Sequence, residues 1–218
     1  MTQPAISARS WTVIVPVKAT SRGKSRIAVD PVLRQRVAAA LATDTVTAAA
    51  EARSVCEVVV VAEDRDDGAI FSAIPGVRVR FTRASSLNAA IVDGTTGISG
   101  PVAVLPGDLP ALTGQELDAV LAMIDLAGHP MAVVADRQGT GTTLLAALDP
   151  AQLRPLYGPD SYRRHLGAGA HGLELPEDSW IRRDVDTVAD LVQITAGRTG
   201  ELADVVLGRS SAATERVC

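Results

Sequence analysis

The sequence predicts one α/β domain built on a mostly parallel sheet. Three observations carry that prediction. Short apolar runs bounded by turn residues alternate with segments of helical periodicity, the order of a parallel α/β sheet. One of the runs, CEVVVVAED at 56–64, is apolar enough to be buried on both faces. The 218 residues, 47% hydrophobic and 21% charged, suffice for one good-sized core, and no internal repeat or linker divides them.

The elements follow in order. WTVIVPV is the first strand. Asp30 and Pro31 are the N-cap and first turn of a helix reaching about Arg53. CEVVVVAED is the second strand, DDGAIFSAI a short helix, VRVRF a strand and SSLNAAIVDG a helix. PVAVLPGD at 101–108 reads as a strand. Thr113 and Glu116 have the spacing of a capping box opening a helix with Leu117, Val120, Leu121 and Ile124 on one face. MAVVADR and TTLLAAL are strands joined through GTG, and SYRRHLGAGA is helical. IRRDVD reads as a last short strand and TVADLVQIT as the last long helix. Residues 1–197 are thus expected to form the domain. Residues 198–218, which lose periodicity and end in GRSSAATERVC, are expected to be a partly mobile tail.

Composition excludes several classes. Net charge is −4, which points to neither nucleic acid nor a membrane surface. No apolar run of 18 residues and no signal-peptide core are present, so the chain reads as cytoplasmic. Aromatics are 3%, so the core is expected to be Ala, Val, Leu and Ile. Two cysteines make no disulfide framework, and Cys56, ahead of the valine run, reads as a core thiol. The three histidines lack metal-ligand spacing, there is no G-x-S-x-G elbow, and no chemistry here obviously needs a side-chain base. Whether the chain is a monomer or a homodimer is not legible.

In open α/β sheets, ligands bind beyond the carboxyl ends of the strands. There the first loop, VKATSRGKSRI, holds Lys18 and Lys24, the only two lysines in the chain, with Arg22 and Arg26. A compact ammonium is a point-charge partner for phosphate, so the loop reads as phosphate-binding; the alternative is a solvated surface loop. GKS at 23–25 is not a P-loop. That motif needs a glycine five positions before the glycine of its G-K-S, with four residues between; here that place is Lys18, and the helix starts well downstream.

Carboxylates stand at two other strand ends. Asp108 follows an apolar run and is fenced by Pro106 and Pro110; Asp184 and Asp186 lie in RRDVDT. Such acids could hold Mg²⁺, which takes one or two carboxylates and completes its shell with water and phosphate oxygens. Asp186 has a second reading as the cap of the last helix, with Thr187 and Asp190 as a capping box, and one residue can do both. GTGTT at 139–143 reads either as a hairpin turn or as a loop offering amides and hydroxyls to an anion. YGPDS at 157–161 is equally a turn and cap or an anion site, with Arg163 and Arg164 close by.

PVKATSRGKSRI, LPGDLPAL, DRQGTGTTLL, YGPDS and RRDVDTVADL, in this order, resemble the guanylyltransferases of coenzyme F420 biosynthesis, the CofC/FbiD family. The resemblance runs from about Trp11 to Ala196. It implies a single nucleotidyltransferase domain of the GT-A-like, Rossmann-related kind, which joins GTP to a small phosphorylated acid and releases pyrophosphate. It implies that Asp108 and Asp186 hold Mg²⁺ and that Thr142, Gly158 and Ser161 bind the acid. Lys18, Lys24 and Arg26 would bind the GTP phosphates, Lys24 also serving catalysis, and Asn88 would border the nucleotide. The chain departs from the family at Gly23, where relatives often carry Ala before the lysine. The expected acceptor is phosphoenolpyruvate, with 2-phospho-L-lactate as the alternative. A GTP-binding module without transfer chemistry, or a sugar-phosphate nucleotidyltransferase on the same fold, are the other readings.

Overall fold

The computed structural model describes residues 10–18, 30–195 and 205 of the chain. Strand β1 (Trp11–Val17) leads to helix α1 (Pro31–Glu51), and β2 (Val55–Ala62) to α2 (Arg65–Phe71). Then come β3 (Val77–Phe81), α3 (Leu87–Thr95), β4 (Val102–Val104) and α4 (Gly114–Ala127). The second half holds β5 (Met131–Ala135), β6 (Thr142–Ala147), α5 (Ser161–Gly167), β7 (His171–Gly172) and α6 (Val188–Thr195). The strands form one sheet in the order β3-β2-β1-β4-β6-β5-β7. Four pairings are parallel, β1 with β2, β1 with β4, β2 with β3 and β5 with β7. Among the described strands only β6 runs antiparallel, to β4 and to β5.

Successive strand residues face opposite sides, and β1 shows both. Trp11, Val13, Val15 and Val17 pack on α1 and α4 through Val46, Ala49, Leu117 and Leu121. Ile14 faces the other way, with Val59, Val61 and Ile91 of α3. The sheet is therefore covered on both faces, which is why its central strands read as continuous apolar runs. A third cluster joins Val37 and Leu41 of α1 to Val185, Leu191 and Ile194, so α6 docks on α1, and Val205 packs against it. Burying each such side chain stabilises the fold by roughly 1.5–3 kcal/mol.

Local signals act as expected at α1, where the Asp30 carboxylate accepts from the amides of Val32 and Leu33. Several other expectations are corrected. IRRDVD is not a strand. Residues Trp180–Arg182 form a 3₁₀ turn whose amides bond back locally, and both neighbours of β4 are already taken by β1 and β6. A short unpredicted strand, β7, instead extends the sheet beyond β5. The strand expected over 101–108 is in the ladder only at Val102–Val104.

The Thr113–Glu116 capping box is half made. Thr113 Oγ1 accepts from the Glu116 amide, but Glu116 Oε1 accepts from the Ile181 amide instead of returning to residue 113. Cys56 is exposed, not a core thiol. Trp11 pairs with Val55 and Thr12 with Glu57, so Cys56 is the extra residue of a β-bulge, where its thiol donates to the Trp11 carbonyl. The expected tail, 198–218, lies outside the described residues apart from Val205.

Candidate active site

The topology gathers the candidate residues on one sheet edge. β1, β4 and β5 point the same way and β6 the opposite way. Lys18 after β1, Asp108 after β4, Asp136 after β5 and Thr142 at the start of β6 therefore share the carboxyl edge. Lys18 is exposed there. Lys24 and Arg26, with the rest of 19–29, lie outside the described residues.

Three carboxylates converge. Asp108, Asp184 and Asp186 are half-buried, and each offers an oxygen within 4.8 Å of the others'. The backbone explains the convergence. The Val185 amide donates to the Asp108 carbonyl at 3.0 Å, so the two acid-bearing segments are stitched between Asp184 and Asp186. The next amide, Leu109, donates to Thr45 Oγ1 of α1 at 2.9 Å, inside the core. Glu116 of α4 holds the Ile181 amide, and the Arg182 guanidinium donates to the carbonyls of Ala135 and Asp136. Helices on one face thus set both acid segments. Asp186 is not the helix cap. Thr187 Oγ1 accepts from the Asp190 amide while Asp190 accepts from the Thr187 amide and hydroxyl, a complete capping box. Hard oxygen donors so close together suit a divalent cation such as Mg²⁺.

A second cluster lies at Thr142 and Ser161. Ser161 Oγ donates to Thr142 Oγ1 at 3.1 Å, and His165 Nδ1 lies 2.9 Å from the same oxygen. All three residues are buried, His165 completely. Burial, and after it the Arg164 charge, lowers the His165 pKa to about 4, so the ring is neutral at pH 7. The Ser161 amide donates to the Gly158 carbonyl. Gly158 has φ 130°, a backbone only glycine adopts easily, and a Cβ there would crowd the Arg164 guanidinium at 3.2 Å.

The loop before it is clamped by Asn88. Asn88 Oδ1 accepts from the Tyr157 amide at 2.8 Å and Nδ2 donates to the Tyr157 carbonyl at 3.2 Å. The resemblance implies that Asn88 borders the nucleotide; in the structure its amide holds the Tyr157 backbone. The buried Tyr157 hydroxyl has no hydrogen-bond partner among the described residues. Burial, followed by the Asp108 charge, pushes its pKa upward, which places the YGPDS loop within electrostatic reach of Asp108.

The GTG segment is the hairpin turn between β5 and β6. Its amides are committed internally: Thr140 and Gly141 donate to the Asp136 carboxylate at 2.9 and 2.8 Å, and Gly139 to the Asp136 carbonyl. The next residue, Thr142, opens β6.

The structure brings Asp108 and Asp186 together with Asp184, and Thr142 together with Ser161 and Gly158. Sequence reading missed His165 and Tyr157 as members of the site. Their only signal was position in YGPDS and in the helix behind it.

Comparisons with known proteins show the family and the fold. The family described as "Guanylyl transferase CofC like" matches residues 11–205. A phosphoenolpyruvate guanylyltransferase of Streptomyces coelicolor is 39% identical over 91% of this chain and 96% of its own. One of Streptomyces scabiei is 42% identical over 83% and 88%. Among solved structures, a cytidylyltransferase from Leptospira borgpetersenii superposes with a TM-score of 0.59 at 15% identity, covering 92% of this chain and 93% of its own. A CMP:2-keto-3-deoxy-manno-octonic acid synthetase complexed with CTP gives 0.56 at 17% identity, over 86% and 97%. At that identity the likeness is one of fold, a mostly parallel α/β nucleotidyltransferase fold. No helix among the described residues is long and apolar enough to cross a membrane.

Proposed function

The chain belongs to the CofC-like guanylyltransferase family, and from that premise we propose that it transfers GMP from GTP to phosphoenolpyruvate, releasing pyrophosphate, in the biosynthesis of coenzyme F420. The observation that carries the reading is the convergence of Asp108, Asp184 and Asp186 on the sheet edge that also holds the Thr142–Ser161 hydroxyl pair. Phosphoenolpyruvate is favoured over 2-phospho-L-lactate because the relatives at 39% and 42% identity carry that name. Both acids present the same phosphate and carboxylate and differ at C2, planar in one and tetrahedral in the other.

The chemistry needs little from side chains beyond placement. An acceptor phosphate oxygen attacks the α-phosphorus of GTP in line. A P–O bond forms there, and the bond from the α-phosphorus to the bridging oxygen breaks, so that pyrophosphate leaves. A phosphate monoester has its second pKa at about 6 and is already mostly dianionic at neutral pH, so no general base is required. That agrees with a site whose one buried histidine is engaged through both ring nitrogens. The obstacle is repulsion between two anions. Asp108 and Asp186, with Asp184 as a third ligand, would hold Mg²⁺, which supplies charge neutralisation when bound. Thr142, Ser161 and the Gly158 backbone hold the acid and orient its phosphate. Lys18, with Lys24 and Arg26, meets the triphosphate.

The decisive experiment is mass spectrometry of products from GTP, Mg²⁺ and a panel of phosphoenolpyruvate, 2-phospho-L-lactate, 3-phosphoglycerate and sugar phosphates. A guanylylated phosphoenolpyruvate product is expected; GTP binding with no product from any acceptor would leave only a binding module. Asp108→Asn is expected to lower kcat by roughly a hundred-fold or more while the fold survives. Wild-type turnover in that variant would remove the metal role.

A further inference from the structure

His165 makes a directional contact at each ring nitrogen. The Leu156 amide lies 2.9 Å from Nε2. An amide nitrogen only donates, so Nε2 carries no hydrogen. The one proton of the neutral ring is then on Nδ1, 2.9 Å from Thr142 Oγ1. Ser161 Oγ donates to that same oxygen at 3.1 Å. A hydroxyl has two acceptor sites and one hydrogen. With both acceptor sites filled, the Thr142 hydroxyl is left with its hydrogen to donate. A donor is what a carboxylate or phosphate needs, and an acceptor lone pair would repel it.

We propose that His165 is a positioning residue for the acceptor site: held as the Nδ1–H tautomer by the Leu156 amide, it donates to Thr142 Oγ1 and thereby commits the Thr142 hydroxyl to donate to the phosphorylated acid. The inference rests on the reading of Thr142 as an acceptor-site residue. It adds a reason why a fully buried histidine sits behind a site that needs no general base. The lowered pKa of His165 is consistent with it, since an imidazolium would lose the Leu156 contact.

Two substitutions separate the two ring nitrogens. The amide of asparagine places a donor near Nδ1 and nothing at Nε2. Glutamine places its amide near Nε2 and nothing at Nδ1. With phosphoenolpyruvate as the varied substrate, H165Q is expected to raise KM roughly ten-fold or more, with the KM for GTP much less affected. H165N is expected to raise it far less. The reverse order, with H165Q benign and H165N damaging, would mean that His165 only anchors the Leu156 loop, and would overturn the proposal. Adding Thr142→Val to H165Q is expected to cost little more, because both act through one hydroxyl; fully additive losses would also overturn it.

¹⁵N NMR of the imidazole in the wild-type protein is independent of turnover and of whether the variants fold. A hydrogen on Nδ1 is expected, and one on Nε2 would end the proposal. If the wild-type protein makes no guanylylated product from any acceptor, the functional reading fails while the NMR result still decides the tautomer.

Discussion

At the scale of single residues, His165 makes a prediction that requires no substrate. Its pKa in the folded protein is about 4, against an ordinary value of 6.5, because burial and the Arg164 charge disfavour the imidazolium. The unfolded chain therefore binds the proton more readily. The sign follows: this contribution to stability is complete above about pH 6.5 and is lost as pH falls from there toward 4. The thermal midpoint is expected to decline across that window, and the decline should be shallower in H165N. An unchanged slope would show that the histidine does not titrate as placed. The acids were more legible than the histidine. Asp108 had no periodic reason to follow an apolar run, which made it visible in the sequence. Asp184 was visible but its part in the set was not, because whether two acids spaced i, i+2 point together depends on the backbone between them. His165 was illegible: nothing in SYRRHL says that a ring nitrogen will accept from the Leu156 amide.

At the scale of elements, the site is held by contacts between helices on one face and the loops beyond the strands. Thr45 is the clearest case. It lies in the middle of α1, donates to the Leu41 carbonyl and accepts the Leu109 amide, next to Asp108. Thr45→Val keeps the volume and strands a buried N–H. It is expected to destabilise the protein by about 1–3 kcal/mol and to lower turnover, while Thr45→Ser restores both. Denaturant unfolding and kcat measured on the same samples test this; a stable variant with wild-type kcat would show that the clamp does not position Asp108. The helices and central strands were well marked in the sequence, since Asp30–Pro31, Thr113 and the valine runs are local signals. IRRDVD was misread because its apolar–polar pattern suits a strand while β4 has no edge left to pair with it. The half-made box at Thr113 and Glu116 has the same cause: a distant amide, Ile181, outcompetes the local one.

For the whole molecule, the reading predicts linkage. GTP with Mg²⁺ binds only the folded state, so ligand at about 100 times its Kd should stabilise by about 2.7 kcal/mol and raise the thermal midpoint by roughly 5–10 °C. Chelation of the metal, or Asp108→Asn, should remove much of that shift, measured by differential scanning fluorimetry. A GTP shift equally large without a divalent ion would argue against the three carboxylates as its seat. The sequence by itself determined the class of fold, the order of its main elements and the short motifs that point to nucleotidyl transfer, because periodicity, caps and turns are local properties. Only the tertiary structure decided which of the acids meet, that Thr187 and not Asp186 caps the last helix, that the GTG amides are committed to Asp136, and that Asn88 and His165 stand behind the YGPDS loop. The meeting of Asp108 with the other acids and the Asn88–Tyr157 clamp join residues 69 or more positions apart, and the other contacts are short-range choices among competing local partners. Their partners are backbone amides and carbonyls, which every residue carries and no sequence pattern singles out.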